Sequence, residues 1–106
     1  MKFNPGDFFK QANVIQQKIK DMQENMKNIQ VTGTSGGDMV KIVMNGQFQV
    51  KELKIAPEIY DSGDIEMVQD LIVAALNDCL NKVKEITQNE MTKATGGINI
   101  MGLFNQ

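Results

Sequence analysis

Apolar side chains recur at helical spacing in the first part of the chain. Their positions are separated alternately by four and three residues: Phe8, Ala12, Ile15, Ile19, Met22, Met26 and Ile29. Gln, Lys, Asn and Glu fill most of the intervening positions, as on the solvent side of an amphipathic helix. Asn4 offers a capping side chain and Pro5 suits the first turn, so we predict that the helix begins there.

The length of this first helix bears on what covers it. About 24 residues at about 1.5 Å each give about 36 Å, whereas a compact chain of this size has a radius of gyration of about 13 Å. The apolar seam could lie entirely on the chain's own sheet, or part of it could pack against a second copy. The excess length favours the second alternative.

After residue 29 the pattern changes to that of a three-stranded antiparallel sheet. We predict strands over residues 31–34, 39–44 and 48–55. Asn45 and Gly46 form the dipeptide that is most typical of a two-residue hairpin turn. Such a turn would pair Met44 with Gln47.

With that register, both faces of the sheet would be partly apolar. One face would carry Val40, Ile42, Met44, Leu53 and Ile55, and the other Met39, Val43, Phe48 and Val50. A sheet covered only by its own helices usually keeps one polar face, so this register favours a second copy on the other face. A bulge near Lys51 and Glu52 is the alternative, because it would bring both apolar sets onto one face. The predicted dimer interface comprises Ile15, Ile19, Met22, Met26, Val40, Ile42, Met44 and Phe48.

A second long helix is predicted to begin after the turn at residues 61–64 and to end near Gly96. Its apolar stripe is broad at first and narrows after Leu80. About 30 residues give a length of about 45 Å, so the second half of this helix is expected to project from the body of the domain. We assign residues 1–97 to one α+β domain and residues 98–106 to a flexible apolar tail.

Composition excludes several classes of function. The 106 residues, of which 42% are hydrophobic and 23% charged, suit one folded domain. No apolar run approaches the roughly 20 residues that span a bilayer. The absence of histidine removes histidine-based acid–base chemistry and the common zinc sites. The single cysteine, Cys79, cannot form an intramolecular disulfide and is typical of a reduced cytosolic setting.

The sequence offers no catalytic constellation. Gly33, Gly36 and Gly37 suit turns between strands and match no phosphate-binding loop. Cys79 lies on the apolar stripe of the last helix with no histidine to activate it, and the carboxylates are too scattered to propose a catalytic pair. We therefore predict no enzyme activity, no metal site and no cofactor.

Lysines are the remaining candidates for function. All 11 basic residues are lysines, and the net charge is +3 over residues 1–54 and −5 over residues 55–106. The candidate DNA-binding lysines lie on the exposed parts of the two long helices: Lys10, Lys18, Lys20, Lys27, Lys82, Lys84 and Lys93. They form either an ordinary solvated face or a set of phosphate contacts that a symmetric dimer would double.

Short motifs occur in order along nearly the whole chain. They include KQA at 10–12, QQK at 16–18, VTGTSGG at 31–37, VKI at 40–42, MNG at 44–46, DLIVAA at 70–75 and TGGINI at 95–100. Together they resemble the YbaB/EbfC family of bacterial nucleoid-associated proteins. The resemblance implies a small cytoplasmic, intertwined homodimer with a long N-terminal helix, a three-stranded antiparallel sheet and a long C-terminal helix. It also implies binding to double-stranded DNA with little sequence preference, an effect on nucleoid organisation and gene expression, and no membrane or small-molecule partner.

Two hypotheses follow. The first is a dimeric duplex-DNA binder whose lysines contact the backbone, because lysine neutralises phosphate but lacks the planar fork that reads guanine. The second is a protein–protein adaptor that recruits a partner through the heptad helix and the apolar tail, with lysines serving only solubility. The formal net charge of −2 favours the second, and the family resemblance favours the first.

Overall fold

Two long helices and a three-stranded sheet make up the fold, as the sequence predicts. The computed structural model describes residues 4–96. The elements occur in the order α1 (Pro5–Met26), β1 (Gln30–Ser35), β2 (Val40–Asn45), β3 (Val50–Ile55), α2 (Pro57–Tyr60) and α3 (Ile65–Ala94). The predicted α+β class is confirmed, and the short α2 is an element that the pattern did not predict. The predicted tail over residues 98–106 lies outside the described residues.

Local capping signals set the start of each long helix. The Asn4 side chain accepts a hydrogen bond from the backbone N of Gly6 at 2.9 Å, with proline at the first helical position. The Asp64 side chain accepts one from the backbone N of Met67 at 3.0 Å. Each oxygen satisfies a backbone donor that has no partner within its helix, so both helices begin where the sequence predicts.

The hairpin between β2 and β3 differs from the predicted two-residue turn. Met44 pairs with Val50 and not with Gln47. The buried Asn45 organises a wider loop, because its side-chain oxygen accepts hydrogen bonds from the backbone N of Gln47 and of Gln49 at 2.9 and 3.1 Å. The two-residue turn is therefore wrong, although the hairpin itself is where Asn45 predicts it.

A bulge in β3 corrects the predicted faces of the sheet. Val43 pairs with Glu52 and Met44 pairs with Val50, which leaves Lys51 as an extra residue on β3. The shift brings the apolar residues of β2 and β3 other than Val43 onto one face and leaves mainly polar residues on the other. The prediction of two partly apolar faces is therefore wrong, and the alternative with a bulge near Lys51 is confirmed.

Helix α3 covers the apolar face of the sheet, mainly over β1 and β2. Ala75, Cys79 and Val83 follow one another at intervals of four residues and are fully buried there. Gly33 on β1 permits the close approach, because a Cβ at this position would lie 2.5 Å from the backbone N of Cys79. The same buried cluster contains Val31, Val40, Ile42 and Met44.

Most residues of the predicted dimer interface lie in the core of the single chain. Five of its residues are buried within the single chain: Met22, Met26, Val40, Ile42 and Met44. They pack against strands and helices of the same chain, so almost none of their surface is accessible to a second copy. Ile15 and Ile19 are half-buried and Phe48 is exposed, so these three retain accessible surface.

The chain is elongated because the two long helices extend beyond the sheet together. Its radius of gyration is 19.6 Å and its longest dimension 70 Å, compared with a radius of about 13 Å for a compact chain of this length. One cleft between the helices is lined by Lys18, Asp21, Met22, Asn25, Glu90, Lys93 and Ala94. The second half of α3 therefore leaves the sheet as predicted, but it does so beside α1.

Candidate nucleic-acid interface

The lysines of α1 and of its C-cap are exposed and form no ion pair with another described residue. They are Lys10, Lys18, Lys20 and Lys27. Lys20 comes ten residues after Lys10 and seven before Lys27, so these three follow roughly one side of the helix. Lys18 instead lines the cleft between α1 and α3, together with Asp21 and Glu90. Helical spacing thus places Lys10, Lys20 and Lys27 on roughly one side of α1, with Lys27 at the residue that caps its C-terminal end.

Lys82 on α3 is held by the fold. Its ammonium lies 3.0 Å from a carboxylate oxygen of Asp78 and donates a 3.0 Å hydrogen bond to the backbone O of Thr32. Asp78 also accepts a 2.9 Å hydrogen bond from the backbone N of Thr34. The Thr34 N–H first, and then Lys82, stabilise the ionised carboxylate and lower the pKa of Asp78. Lys82 therefore joins α3 to β1, which weakens its assignment as a phosphate contact.

The other two α3 lysines differ from each other. Lys93 lies 3.2 Å from a carboxylate oxygen of Glu90, one turn earlier on the same helix. Lys84 is exposed and has no carboxylate within ion-pair distance in the part of the chain that the structure describes. A neighbouring carboxylate cancels part of a lysine's field, so Lys84 has the stronger attraction for an external phosphate.

Two further lysines lie on the face of the sheet that points away from α3, and a third lies at the bulge beside them. Lys41 of β2 and Lys54 of β3 are Cα partners in the register, and the bulge places Lys51 beside Glu52. All three lysines are exposed. Reasoning from the sequence missed them because it searched the helices, and only the register of the strands shows that Lys41 and Lys54 share a face.

The described residues show no arrangement typical of catalysis or metal binding. Cys79 is buried and its thiol donates to the backbone O of Val31 at 3.4 Å, and burial raises the pKa of that thiol. Between residues 4 and 96, no group of three or more His, Cys, Asp or Glu side chains could hold a metal ion. Among the helices of the same region, none combines the length and apolar character needed to cross a bilayer.

Comparison with known proteins gives a family for this arrangement. Residues 1–98 match the profile of the YbaB/EbfC DNA-binding family. A protein of Caldanaerobacter subterraneus subsp. tengcongensis named nucleoid-associated protein is 46% identical over 102 residues, covering 96% of this chain and 92% of the relative. A nucleoid-associated protein of Legionella pneumophila is 41% identical over 97 residues, covering 92% and 86%.

A solved structure supports the fold. The crystal structure of an uncharacterized protein from Helicobacter pylori superposes with a TM-score of 0.72 at 25% sequence identity. The superposition covers 83% of this chain and 92% of that one. The arrangement of two long helices and three strands is therefore shared with a protein observed by experiment.

Proposed function

This chain belongs to the YbaB/EbfC DNA-binding family, and from that premise we propose that it binds double-stranded DNA as a homodimer with little sequence preference. The relatives named nucleoid-associated proteins support a place at the bacterial nucleoid, in the cytoplasm, with effects on nucleoid organisation and gene expression. The observation that carries the proposal is the row of unpaired lysines on α1 in a chain that matches this family over nearly its whole length. DNA binding, and not a catalysed reaction, is the activity by which the family is described.

The chemistry of the basic residues supports contacts to phosphate and not to bases. The chain has no arginine, and arginine is the residue whose planar fork makes the commonest specific contact to guanine. A lysine ammonium is a compact charge that neutralises a phosphate whatever base is attached. Lys10, Lys20, Lys27 and Lys84 are the foremost contacts in this proposal, with Lys18, Lys82 and Lys93 in support.

Dimerisation is supported by the surface that a single chain leaves exposed. The chain has an accessible surface of 7832 Å², compared with about 5,900 Å² for a compact monomer of this mass. Val50 and Leu53 are 53% and 47% exposed although they share the face that α3 covers. Val73 of α3 adds a further exposed apolar side chain. We call Val50 and Leu53 the apolar ridge of β3. A second copy packed on this ridge would bury both side chains, and the dimer would present twice as many lysines to one duplex.

The direct test is a salt titration with duplex DNA. We expect fluorescence anisotropy to show binding to two labelled duplexes of unrelated sequence with similar affinity, and log affinity to fall by about 0.9 for each phosphate neutralised as log salt concentration rises. A Lys10→Gln/Lys20→Gln/Lys27→Gln variant should bind more weakly with a smaller slope. The matched Lys10→Arg/Lys20→Arg/Lys27→Arg variant keeps the positive charges, so it should retain both the affinity and the salt slope of the wild type.

The outcome separates the two hypotheses drawn from the sequence. If the wild-type protein fails to bind either duplex even at low salt, the proposed function is wrong. The adaptor hypothesis would then remain, with the exposed apolar ridge of β3 as the described surface that a partner protein could use.

A further inference from the structure

The face of the sheet that points away from α3 is open to solvent. Alternation along the strands places Thr32 and Thr34 of β1, Lys41 and Val43 of β2, and Glu52 and Lys54 of β3 on this outer face. Each of these residues is exposed or half-exposed. The outer face is thus a shallow polar surface on a rigid element, which suits contact with an extended, charged partner.

Positive charge is concentrated on the outer face. Lys41 and Lys54 are direct cross-strand partners, an arrangement of like charges that is unfavourable for the sheet by itself. The bulge adds Lys51 next to them. Glu52 on the same face carries a negative charge, and its carboxylate lies 3.2 Å from the Lys54 ammonium. The described structure leaves Lys41 and Lys51 without an ion pair.

Asp38 in the adjoining turn cancels only part of this charge. Asp38 borders the same shallow depression as Lys41 and Lys54, yet it lies within ion-pair distance of neither lysine. Three lysines against the two carboxylates of Glu52 and Asp38 therefore still leave this region positive, although the chain as a whole has a formal net charge of −2.

The spacing of the lysines fits a nucleic-acid backbone. Cross-strand partners have Cα atoms about 4.5–5.5 Å apart, and Lys51 precedes Lys54 along β3 by about 10 Å at about 3.3 Å per residue. One strand of duplex DNA carries a phosphate about every 3.4 Å along its axis, so the three ammonium groups can reach neighbouring phosphates. The Thr32 and Thr34 hydroxyls add uncharged donors of the kind that bind phosphate oxygens.

We propose that Lys41, Lys51 and Lys54 form a second phosphate-binding surface, which contacts the backbone of duplex DNA in addition to the lysines of α1. This inference rests on the proposed function, because it assigns a further contact surface to the same ligand. The proposal also gives a role to the Lys41–Lys54 pair, whose like charges destabilise the sheet in the absence of DNA. A phosphate placed between the two ammonium groups would attract both of them and reduce their mutual repulsion.

The test compares two variants with the same change in net charge. Lys41→Gln/Lys54→Gln removes two positive charges from the outer face. Gln69→Glu/Asn77→Asp adds two negative charges at exposed positions on α3. Anisotropy titrations of the full chain with one labelled duplex, over a series of sodium chloride concentrations, give the affinity and the salt slope for each. Circular dichroism and light scattering confirm that each variant keeps the fold and oligomeric state of the wild type.

We expect Lys41→Gln/Lys54→Gln to lower the salt slope by up to about 1.8 for each protomer that contacts the duplex, which is about 0.9 for each lost contact, with the larger share from Lys41 because Lys54 must first give up Glu52. Binding should weaken by about tenfold or more near 0.1 M salt. The α3 variant should keep the wild-type slope, and Lys41→Arg/Lys54→Arg should keep both slope and affinity. If the wild type binds while the Gln variant keeps its slope, or if the α3 variant loses as much, the inference is overturned and the proposed function stands. If the wild type does not bind the duplex at all, both are overturned.

Discussion

The Lys82 ammonium lies 3.0 Å from the Asp78 carboxylate, one turn earlier on α3, while that carboxylate accepts a hydrogen bond from the backbone N of Thr34. The same ammonium donates to the backbone O of Thr32. A lysine that the sequence assigns to DNA is thus part of the contact between α3 and β1. Exposure alone does not identify a phosphate contact, since a lysine that already has a partner must give it up first.

This relationship predicts different consequences for two neighbouring lysines. Lys84→Gln should lower the salt slope of duplex binding by about 0.9 for each protomer that contacts the duplex, with little change in thermal stability, because Lys84 has no ion pair within residues 4–96. Lys82→Gln should lower the melting temperature and change the slope less. Anisotropy titrations and thermal unfolding of both variants check this, and equal slope changes would contradict it.

The lowered pKa of Asp78 predicts a loss of stability in acid. Its folded-state pKa lies below the ordinary value of 3.8, so its contribution to folding is complete above that value and disappears as the pH falls through the folded-state pKa. The wild type should therefore be more stable than Asp78→Asn near neutral pH, and the difference should shrink below the ordinary value. Urea unfolding of both proteins over a pH series measures it, and a difference independent of pH would refute the assignment.

Features set by neighbouring residues could be predicted from the sequence. Asn4 and Asp64 cap helices within their own first turns, and the apolar spacing around Ala75 and Cys79 indicates the face of α3 that becomes buried. The residues that make each of these contacts are neighbours along the chain, so the contacts can be predicted from the sequence without knowledge of the fold.

Features set by pairing between distant residues could not be predicted. The sequence left a bulge near Lys51 as one of two alternatives, and only the register with β2 decides between them and fixes which face each following side chain occupies. Phe48 has a positive φ of 63°, which a large side chain rarely adopts, so the loop could not be foreseen from Asn45 and Gly46. The lysines of the outer face were missed for the same reason.

The close contact between β1 and α3 predicts that Gly33 tolerates no side chain. In Gly33→Ala the new Cβ would lie 2.5 Å from the backbone O of Ala75 and from the backbone N of Cys79. Neither backbone group can turn aside, so the helix must shift, and we expect a loss of about 3 kcal/mol or more in the free energy of unfolding. Thr32→Ala, at an exposed position on the same strand, should change it by less than about 0.5 kcal/mol. Urea unfolding of the two variants makes the comparison.

The burial of Cys79 predicts that its thiol reacts slowly with thiol reagents in the folded protein. Its side chain is fully buried, and desolvation raises its pKa above the ordinary value of 9.0. Little thiolate therefore exists near neutral pH, and a reagent can reach the sulfur only when α3 separates from the sheet. The rate of reaction with Ellman's reagent should rise steeply with urea concentration as the protein unfolds. Rapid reaction of the folded protein at a rate insensitive to urea would show that the thiol is accessible.

The exposed apolar ridge of β3, formed by Val50 and Leu53, predicts how the proposed homodimer can be disrupted. Light scattering of the wild type should give twice the chain mass of 11.8 kDa. In Leu53→Lys the substituted side chain is already 47% exposed in a single chain, so the fold should survive, whereas an ammonium group buried between two copies would be strongly unfavourable. We therefore expect a folded monomer with weaker duplex binding. Thr32→Lys adds the same charge to the opposite face and should remain dimeric. A dimeric Leu53→Lys protein with wild-type affinity would place the interface elsewhere on the chain.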